Sequence, residues 1–424
     1  MTITARPVPV ASRLLSLVQG SLHTEVPVRL RAWDGSTAGP PEATTTVVVR
    51  SPDALRRMMW APGELGVARA YVVGDLDVEG DLLETVAGLV DVLVAFHRRV
   101  GLRDAVRVLR EMTALHGVGR PLPPPATEAQ LTGWRHSLRR DAAAIAHHYE
   151  VSSDFYRLFL GETMAYSCGY WPDGVRTLDE AQAAKFDLVC RKLDLRPGMR
   201  VLDVGCGWGG FVRHAAREHG VRAVGVTISP SQVSEARQRI AAAGLAERVE
   251  IREQDYREVA DGPYDAVVSI GMAEHVGTAK LGEYAAGLYR LLRPRGRVLH
   301  HAIACREGEP QPRPTFMSRY IFPDGELQPV GLTVRALEGA GLEVRDVHAL
   351  REHYALTLRA WLRGLEERWA DAERLVGAER ARVWRLYLAV SSVAFVRNGV
   401  GVNQVLAVRP DQLGGAGMPA VRPT

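Results

Sequence analysis

Cysteine is scarce in this sequence, and the few cysteines are far apart. The 424 residues contain four, Cys168, Cys190, Cys206 and Cys305, and no two form a CxxC pair. This spacing argues against a zinc site of the paired-cysteine type and against a disulfide framework. It favours reduced, intracellular thiols, and we expect no metal ion.

Long apolar runs and an excess of one charge are also missing. No apolar run approaches the roughly 18 residues that span a bilayer, and the stretch 8–18 is interrupted by Arg13 and has no clear signal-peptide cleavage site. Lys and Arg number 53 against 49 Asp and Glu, so the basic patch of a nucleic-acid-binding protein is not indicated. We expect a cytoplasmic protein that contacts the anionic inner face of a membrane peripherally and binds no nucleic acid.

The chain length predicts two domains. Runs of strand-forming residues at 26–33 and 45–50 predict a small α+β domain over residues 1–116, interpreted as a lipid-binding-like module. The segment GVGRPLPPPA begins at residue 117 and cannot be helical, so a linker is predicted at 117–135 and a larger domain at 136–424.

The segment around the end of this linker mixes one aromatic residue with several cations. Trp134 is followed by Arg135, Arg139 and Arg140. Such a segment suits a lipid headgroup layer, where each cation contributes about 1 kcal/mol near an anionic surface. A solvated helix face explains the same pattern equally well.

The larger domain alternates helices and strands. Thr177 and Glu180 form a capping-box pattern that predicts a helix to Leu193. Seven apolar, β-branched runs follow at 200–207, 223–229, 249–255, 264–270, 297–304, 342–350 and 403–410. Two further helices are predicted before the last run, at 354–369 and 379–397. This order predicts an α/β fold with a doubly wound parallel sheet.

The first of these strands ends in a glycine-rich turn of the kind that binds nucleoside cofactors. It reads Asp203-Val-Gly205-Cys-Gly207-Trp-Gly209-Gly210 and leads into a helix, so a ligand can approach the backbone closely. The turn departs from GxGxxG spacing, and no phosphate-binding Lys-Ser/Thr pair follows. Dinucleotides and nucleoside triphosphates are therefore disfavoured, and S-adenosylmethionine is favoured.

The next two strand ends also carry candidate cofactor contacts. The second strand ends without the usual acidic residue, and Thr227 and Gln232 are candidates for the polar contacts, although the nearby Ser229-Pro230 pair also reads as an ordinary helix start. The third strand ends with Asp255 and Tyr256, which we expect to meet the adenine.

Several longer segments carry a resemblance to a known family. They include HHYEVSSDFYRLFLGETMAYSCGYW at 147–171, GVTIS, QDYR, SIGMAEHVG at 269–277, RYIFPDGELQP and HYALTLRAW at 353–361. Over about residues 140–410 the chain resembles the cyclopropane-fatty-acyl-phospholipid synthases, including the mycolic-acid cyclopropane synthases and the tuberculostearic (10-methyl) fatty acid methyltransferases. The resemblance implies a seven-stranded class I methyltransferase sheet, Rossmann-like, beside the smaller N-terminal α+β domain.

The same resemblance implies two sets of site residues. The family's bicarbonate ligands carry over to Cys168, Glu274, His301, Ile303 (through its backbone) and Tyr354. Its S-adenosylmethionine contacts carry over to Tyr166, Ser167, Gly205, Gly207, Thr227, Ile228, Gln232 and Tyr256.

The implied reaction is methyl transfer to the cis double bond of an unsaturated phospholipid acyl chain. The carbocation so formed is deprotonated by bound bicarbonate, which leaves a cyclopropane or a 10-methylene chain. The stretches RLRAWDG and ARAYVVGDLDVEGD resemble the tuberculostearic branch, whose methyl-branched product implies a separate reductase. The family also implies a homodimer.

Other interpretations stay open at this point. A small-molecule O- or N-methyltransferase shares the cofactor site, and a non-enzymatic lipid-binding protein explains the N-terminal module. Without the resemblance, Cys168 and Tyr354 are interpreted more readily as core residues, and Glu274 is also a candidate helix cap. The histidine pairs 147–148 and 300–301 are not read as metal ligands, because neighbours on a strand such as 297–304 point to opposite faces.

Overall fold

The computed structural model describes residues 8–22, 28–99, 102–129, 151–308, 314–323 and 325–420. Its contacts divide the chain into two compact units. The first comprises Met1–Gln130, Pro312–Ile321 and Val376–Val393, and the second comprises Leu131–Gln311, Phe322–Leu375 and Ala394–Thr424. The linker expected at 117–135 remains a prediction. The sequence patterns did not predict that residues 312–321 and 376–393 belong to the first unit, because only tertiary contacts place them there.

The helices of the described residues are numbered here in chain order. They are α1 Val10–Leu22, α2 Asp53–Trp60, α3 Glu64–Val73, α4 Leu82–Arg99, α5 Leu102–Ala114, α6 Ser153–Arg157, α7 Leu178–Leu193, α8 Gly210–His219, α9 Pro230–Ala242, α10 Ala273–Val276, α11 Leu281–Leu291, α12 Val330–Gly339, α13 Arg351–Glu367, α14 Trp369–Val376 and α15 Ala378–Val396. Single turns of 3₁₀ helix lie at Tyr256–Glu258 and Thr278–Lys280, and a π-helical turn lies at Met317–Ile321.

The strands form two sheets. They are β1 Arg29–Arg31, β2 Thr37–Ala38, β3 Thr46–Val49, β4 Leu76–Glu79, β5 Arg200–Val204, β6 Arg222–Thr227, β7 Val249–Glu253, β8 Tyr264–Ile270, β9 Leu292–Cys305, β10 Gln328–Pro329, β11 Glu343–Ala349 and β12 Gly401–Val408. All seven strands predicted for the larger domain are therefore present.

The first unit contains the smaller sheet, in the order β2-β1-β3-β4. Its core joins Leu14 of α1, Leu30 of β1, Val47 of β3 and Leu55 of α2, all of them buried. Alternating strand residues face these helices because successive side chains of a strand point to opposite sides. The α+β character predicted for the N-terminal domain is confirmed.

The second unit contains the larger sheet, in the order β11-β12-β9-β8-β5-β6-β7, with the two-residue β10 paired to β9. The seven main strands form the Rossmann-like α/β sheet that the resemblance implies. One strand departs from the parallel pattern, since β12 runs antiparallel to both β9 and β11. An apolar strand pattern reads the same in both directions, so the residues of β12 did not reveal its orientation.

Helices cover both faces of this sheet. Val201 of β5 packs in a cluster with residues of α7, α8 and α9, whereas its neighbour Leu202 packs on the opposite face with α11 and α12. Each such buried side chain contributes about 1.5–3 kcal/mol relative to exposure. With both faces covered, the loops at the carboxyl ends of the parallel strands are left for ligand binding.

The predicted start of α7 is confirmed in detail. Thr177 Oγ1 accepts a hydrogen bond from Glu180 N at 3.3 Å, and Glu180 Oε2 accepts one from Thr177 N at 2.9 Å. These bonds satisfy backbone N–H groups that a helix start otherwise leaves unpaired. The well-anchored α7 then presents its buried face to β5 and to the site described next.

Candidate active site

A cavity of about 480 Å³ lies at the carboxyl ends of β5, β6 and β8. Its volume falls in the range of small-molecule sites. The residues predicted to contact the cofactor all line it, namely Tyr166, Ser167, Asp203, Gly205, Gly207, Thr227, Ile228, Gln232, Asp255 and Tyr256. The structure thus brings together side chains from four separate loops.

The glycine turn after β5 forms one wall of the cavity. Gly205 and Gly207 have positive φ values of 80° and 56°, which glycine adopts without steric cost. A Cβ at Gly205 would lie 2.5 Å from Met272 Cγ, whereas a Cβ at Gly207 would meet nothing within 4 Å. Because Gly207 lines the cavity, the open space beside it is a cradle that a side chain would fill.

The end of β6 forms a second wall, and its polar groups are paired with each other. Thr227 Oγ1 donates a hydrogen bond to Gln232 Oε1 at 2.7 Å. Ser229 is the N-cap of α9, with Pro230 at the first helical position. The segment therefore starts a helix, as expected, and also lines the cavity, while the polar contact of Thr227 and Gln232 with the cofactor remains a prediction.

The end of β7 forms a third part of the cavity wall, where Asp255 and Tyr256 lie with Tyr284. Both carboxylate oxygens of Asp255 accept hydrogen bonds from the Arg257 guanidinium, at 2.8 and 2.6 Å. The ring of Tyr256 meets that of Tyr284 edge to face, at 5.7 Å between centroids. The predicted contact of Asp255 with adenine remains a prediction, and its carboxylate is already bound to Arg257.

Lys185 of α7 also lines the cavity, and the sequence analysis did not identify it. Its side chain is 1% exposed, and its ammonium donates a hydrogen bond to Ser167 Oγ at 3.0 Å. Burial lowers its pKa to about 7, against an opposing effect of Cys168 and Asp203. Burial likewise raises the pKa of Asp203 to about 7, and Lys185 opposes that rise. A lysine on the apolar face of a predicted helix was the available signal.

The predicted catalytic residues do not line this cavity. They fall into two groups, and the first group consists of Glu274, His301 and Ile303. Glu274 Oε1 accepts a hydrogen bond from the backbone N–H of Ile303 at 2.7 Å. His301 lies two residues earlier on β9, and its Nδ1 is 3.3 Å from Gln404 Nε2 on the neighbouring β12. Residues 301 and 303 share one face of the strand.

This first group contains buried polar atoms without a partner among the described residues. They are Glu274 Oε2, His301 Nε2 and Gln404 Oε1. Burial raises the pKa of Glu274 to about 7, although the Ile303 N–H bond opposes the rise. Burial also lowers the pKa of His301 well below its usual value, so His301 is neutral. Unsatisfied buried polar atoms are costly, and a polar ligand bound here would satisfy them.

A second group joins Cys168 to α13. Cys168 Sγ lies 3.7 Å from Leu350 O, and the N–H of Tyr354 donates to the same carbonyl at 3.1 Å. Gly169 N donates to Thr357 Oγ1 at 3.0 Å. The thiol of Cys168 is fully buried, and burial raises its pKa, so Cys168 is not a thiolate nucleophile.

A row of aromatic rings connects the cavity with the second group. Tyr166 in the cavity wall lies 5.3 Å from Trp361, Trp361 lies 5.9 Å from Tyr354, and Tyr354 lies 4.6 Å from Phe395, measured between ring centroids. Trp361 and Tyr354 are buried. A packed row of electron-rich rings therefore extends from the cavity wall to the second group.

The predicted histidine pairs have different outcomes. His300 Nδ1 is 3.2 Å from Tyr284 Oη on the α11 side of the sheet, whereas His301 faces β12's Gln404, so the two do not share a ligand site. His147, His148 and the cationic segment 131–140 lie outside the described residues.

Among the described residues, Asp187, His214 and His219 bring three donor atoms close together, with both imidazoles bound to Asp187 Oδ1.

Comparisons with known proteins support the same assignment. Residues 136–405 match the family described as mycolic acid cyclopropane synthetase. The chain is 41% identical to a probable fatty acid methyltransferase of Mycobacterium tuberculosis, over 93% of each chain. It is 34% identical to the tuberculostearic acid methyltransferase UfaA1 of the same organism, over 96% of this chain and 92% of that one.

Solved structures agree with the sequence relatives. The mycolic acid cyclopropane synthase CmaA1, determined with S-adenosylhomocysteine (SAH) and CTAB, superposes with a TM-score of 0.60 at 33% identity, and the match covers 63% of this chain and 97% of that one. The glycine cradle and the lining of the cavity fit the same cofactor. The chain therefore belongs to the mycolic acid cyclopropane synthetase family and is an S-adenosylmethionine-dependent methyltransferase of the cyclopropane-fatty-acyl-phospholipid synthase type.

Proposed function

We propose that the chain methylates the cis double bond of an unsaturated acyl chain on a phospholipid. The observation that carries this proposal is the pair of orphaned atoms, Glu274 Oε2 and His301 Nε2, which an ordinary O- or N-methyltransferase does not require. An alkene is a weak nucleophile, so rate must come from orientation, which contributes up to about 7–11 kcal/mol in favourable cases. The glycine turn supplies a fixed seat for the methyl donor.

The aromatic row suits the charge that develops on the acyl chain. A carbocation is trapped by water unless the site is dry, and the faces of Tyr166, Trp361 and Tyr354 are suited to stabilise a cation. Their spacing of 5.3 and 5.9 Å makes a continuous row of ring contacts that starts at the cavity wall. These residues exclude water and hold the acyl chain.

Bicarbonate fits the first group of polar residues. When bound, it supplies a base that accepts the proton released in the reaction. Glu274 Oε2 and His301 Nε2 would hold it, since both are buried and unpaired among the described residues. Its negative charge would be repelled by an ionised Glu274. Because the pKa of Glu274 is raised to about 7 and His301 is neutral, Glu274 relieves this repulsion by holding a proton.

The tuberculostearic branch is favoured for the product. The similarity to the M. tuberculosis tuberculostearic acid methyltransferase extends over 96% of the chain and thus includes the N-terminal unit. On this branch, a hydride shift would move the positive charge to the methyl-bearing carbon, loss of a proton from the added methyl group would leave a 10-methylene chain, and a separate reductase would complete the 10-methyl product. A cyclopropane arises instead when the methyl group loses its proton before this shift and its carbon bonds to the neighbouring cationic carbon.

Membrane access and assembly are further parts of the proposal. None of the described helices has the length and apolar character needed to cross a bilayer. The cations Arg135, Arg139 and Arg140 support peripheral contact with anionic lipid at the inner face of the membrane, which predicts liposome binding that weakens as salt rises. Family membership supports a homodimer, which sedimentation of the purified protein would test.

The deciding experiment uses purified protein with S-adenosylmethionine, bicarbonate and dioleoyl phosphatidylglycerol. NMR of the released fatty acids distinguishes exocyclic methylene protons from upfield ring protons, although the two products have equal mass. We expect a lipid product from the wild type and a loss of at least about 100-fold in Glu274→Gln, since the change removes a group that holds bicarbonate and a bound base typically contributes 10²–10⁴-fold. Methylation only of phenols or amines, unaffected by Glu274→Gln, would refute the proposal.

A further inference from the structure

Lys185 and Asp203 place two opposite charges in one wall of the cofactor cavity. Both side chains line the cavity, and they are only 1% and 3% exposed. Each favours the charged form of the other, since Asp203 opposes the fall in the Lys185 pKa and Lys185 opposes the rise in the Asp203 pKa. Burial of two ionisable groups is costly unless each has a partner of opposite charge, and a ligand that carries both charges would supply such partners.

The ammonium of Lys185 has hydrogen-bonding capacity left for a ligand. A lysine ammonium has three N–H donors. Among the described residues, its recorded hydrogen bond is the one to Ser167 Oγ at 3.0 Å. Ser167 also lines the cavity, so that bond holds the ammonium at the cavity wall, where its remaining donors can reach an anion.

The cofactor offers charges that match this pair. The methionine end of S-adenosylmethionine carries one carboxylate and one ammonium group on the same carbon. We propose that Lys185 binds the α-carboxylate of the cofactor while Asp203 faces its α-ammonium group, so that the two residues form a subsite for the amino-acid end. This makes Lys185 a binding residue that the cofactor assignment does not include. The inference rests on the cofactor and is independent of the lipid acceptor.

A second buried lysine on the same helix supplies a matched control. Lys192 lies two turns after Lys185 on α7, is 2% exposed, and pairs with Asp346 at 3.1 Å. It does not line the cavity. Lys185→Met and Lys192→Met therefore each remove a buried lysine from the same helix. Only Lys185→Met removes an ammonium group from the wall of the cofactor cavity.

The test measures binding of two ligands by calorimetry, without any acceptor. One is SAH, and the other is its decarboxylated analogue, in which hydrogen replaces the carboxylate. Because the substitution removes a hydrogen bond between two charged groups, we expect Lys185→Met to weaken SAH binding by about 10- to 100-fold. Binding of the decarboxylated analogue should change less than about 3-fold, and Lys192→Met should leave both affinities near those of the wild type.

Two results would overturn the proposal. An equal loss for both ligands would mean that Lys185 acts through the fold, and an unchanged SAH affinity with an altered bicarbonate dependence of turnover would assign its charge to the bicarbonate group. If Lys185→Met does not fold, Lys185→Gln keeps a donor to Ser167 without the charge, and the same comparison of ligands applies. Failure of lipid methylation in the wild type would leave these affinities unaffected, so the two proposals fail separately.

Discussion

At the scale of single residues, Glu274 combines a strong bond with a costly environment. Its Oε1 is held by the Ile303 N–H at 2.7 Å, while Oε2 is buried without a partner among the described residues. Desolvation of the charged form wins over this one hydrogen bond, because the net effect raises the pKa to about 7. The carboxyl group is thus prepared to hold a proton near neutral pH.

This shift predicts a pH dependence of stability. The folded pKa of about 7 lies above the ordinary value of 4.5, so the folded state binds the proton more tightly than the unfolded state. The stabilisation is fully present below about pH 4.5 and is lost as the pH rises through about 7, an effect of about 3 kcal/mol. Glu274→Gln should therefore gain stability relative to the wild type between pH 5 and pH 7.5.

Urea unfolding of both proteins at the two pH values, in buffers free of bicarbonate, measures this difference. Asp203 has a similarly raised pKa and contributes equally to both proteins, so it cancels in the comparison. An equal difference in free energy of unfolding at pH 5 and pH 7.5 would contradict the assignment of the raised pKa to Glu274.

At the scale of elements, the turn between β5 and α8 separates two roles of glycine. Gly205 and Gly207 share positive φ values, but only a Cβ at Gly205 would collide, with Met272 Cγ at 2.5 Å and Sδ at 2.7 Å. Gly205→Ala should therefore lower the free energy of unfolding more than Gly207→Ala, which suffers mainly the backbone strain of about 1 kcal/mol. Denaturation curves of the two variants make the comparison.

Binding adds a second readout for the same turn. A Cβ at Gly207 points into open space beside the cavity. Gly207→Ala should therefore weaken SAH binding although it lowers the free energy of unfolding only slightly. A Gly207→Ala protein with unchanged SAH affinity would show that the cofactor does not approach this glycine.

The capping box of α7 supports the helix that carries Lys185. Thr177→Ala removes the acceptor for Glu180 N, and the loss of such a cap costs about 1 kcal/mol. Thr177→Ser keeps the hydroxyl and is the matched control, so its unfolding midpoint should stay near that of the wild type. Equal destabilisation by both substitutions would mean that the threonine methyl group, not the cap, is responsible.

At the scale of the whole molecule, the first unit includes residues that lie far apart in the sequence. Arg382 of α15 donates hydrogen bonds to Tyr71 O at 2.6 Å and Leu76 O at 2.8 Å, and its guanidinium lies 4.2 Å from the centre of the Tyr71 ring. The late helix α15 is thereby fastened to α3 and to the start of β4. Long-range packing, rather than chain order, assembles this unit.

Removal of this arginine should destabilise the unit without affecting the cofactor site. Arg382→Ala leaves two carbonyl acceptors without their donor and should cost about 2 kcal/mol, seen as a lower unfolding midpoint. SAH affinity should stay within about twofold of the wild type, since Arg382 does not line the cavity. Arg380→Ala, two residues earlier on α15, is the control, and equal effects of the two substitutions would contradict this role.

Local patterns in the sequence were sufficient for much of the fold and of the cofactor site. The capping box at Thr177, the seven apolar runs and the glycine turn after Asp203 depend on neighbouring residues, and each takes the predicted form. In parallel sheets, strand ends converge on one edge. Residues predicted singly at three strand ends therefore line one cavity.

The remaining features depend on contacts between distant segments. The antiparallel direction of β12, the pairing of Gln404 with His301, the bond from Ile303 to Glu274 and the attachment of Arg382 join residues 29 to 311 positions apart. No periodicity records such partners, because side-chain patterns specify which face is buried and not what covers it. Lys185 shows the same limit, since its helix was predictable and its place beside Asp203 in the cavity wall was set by packing.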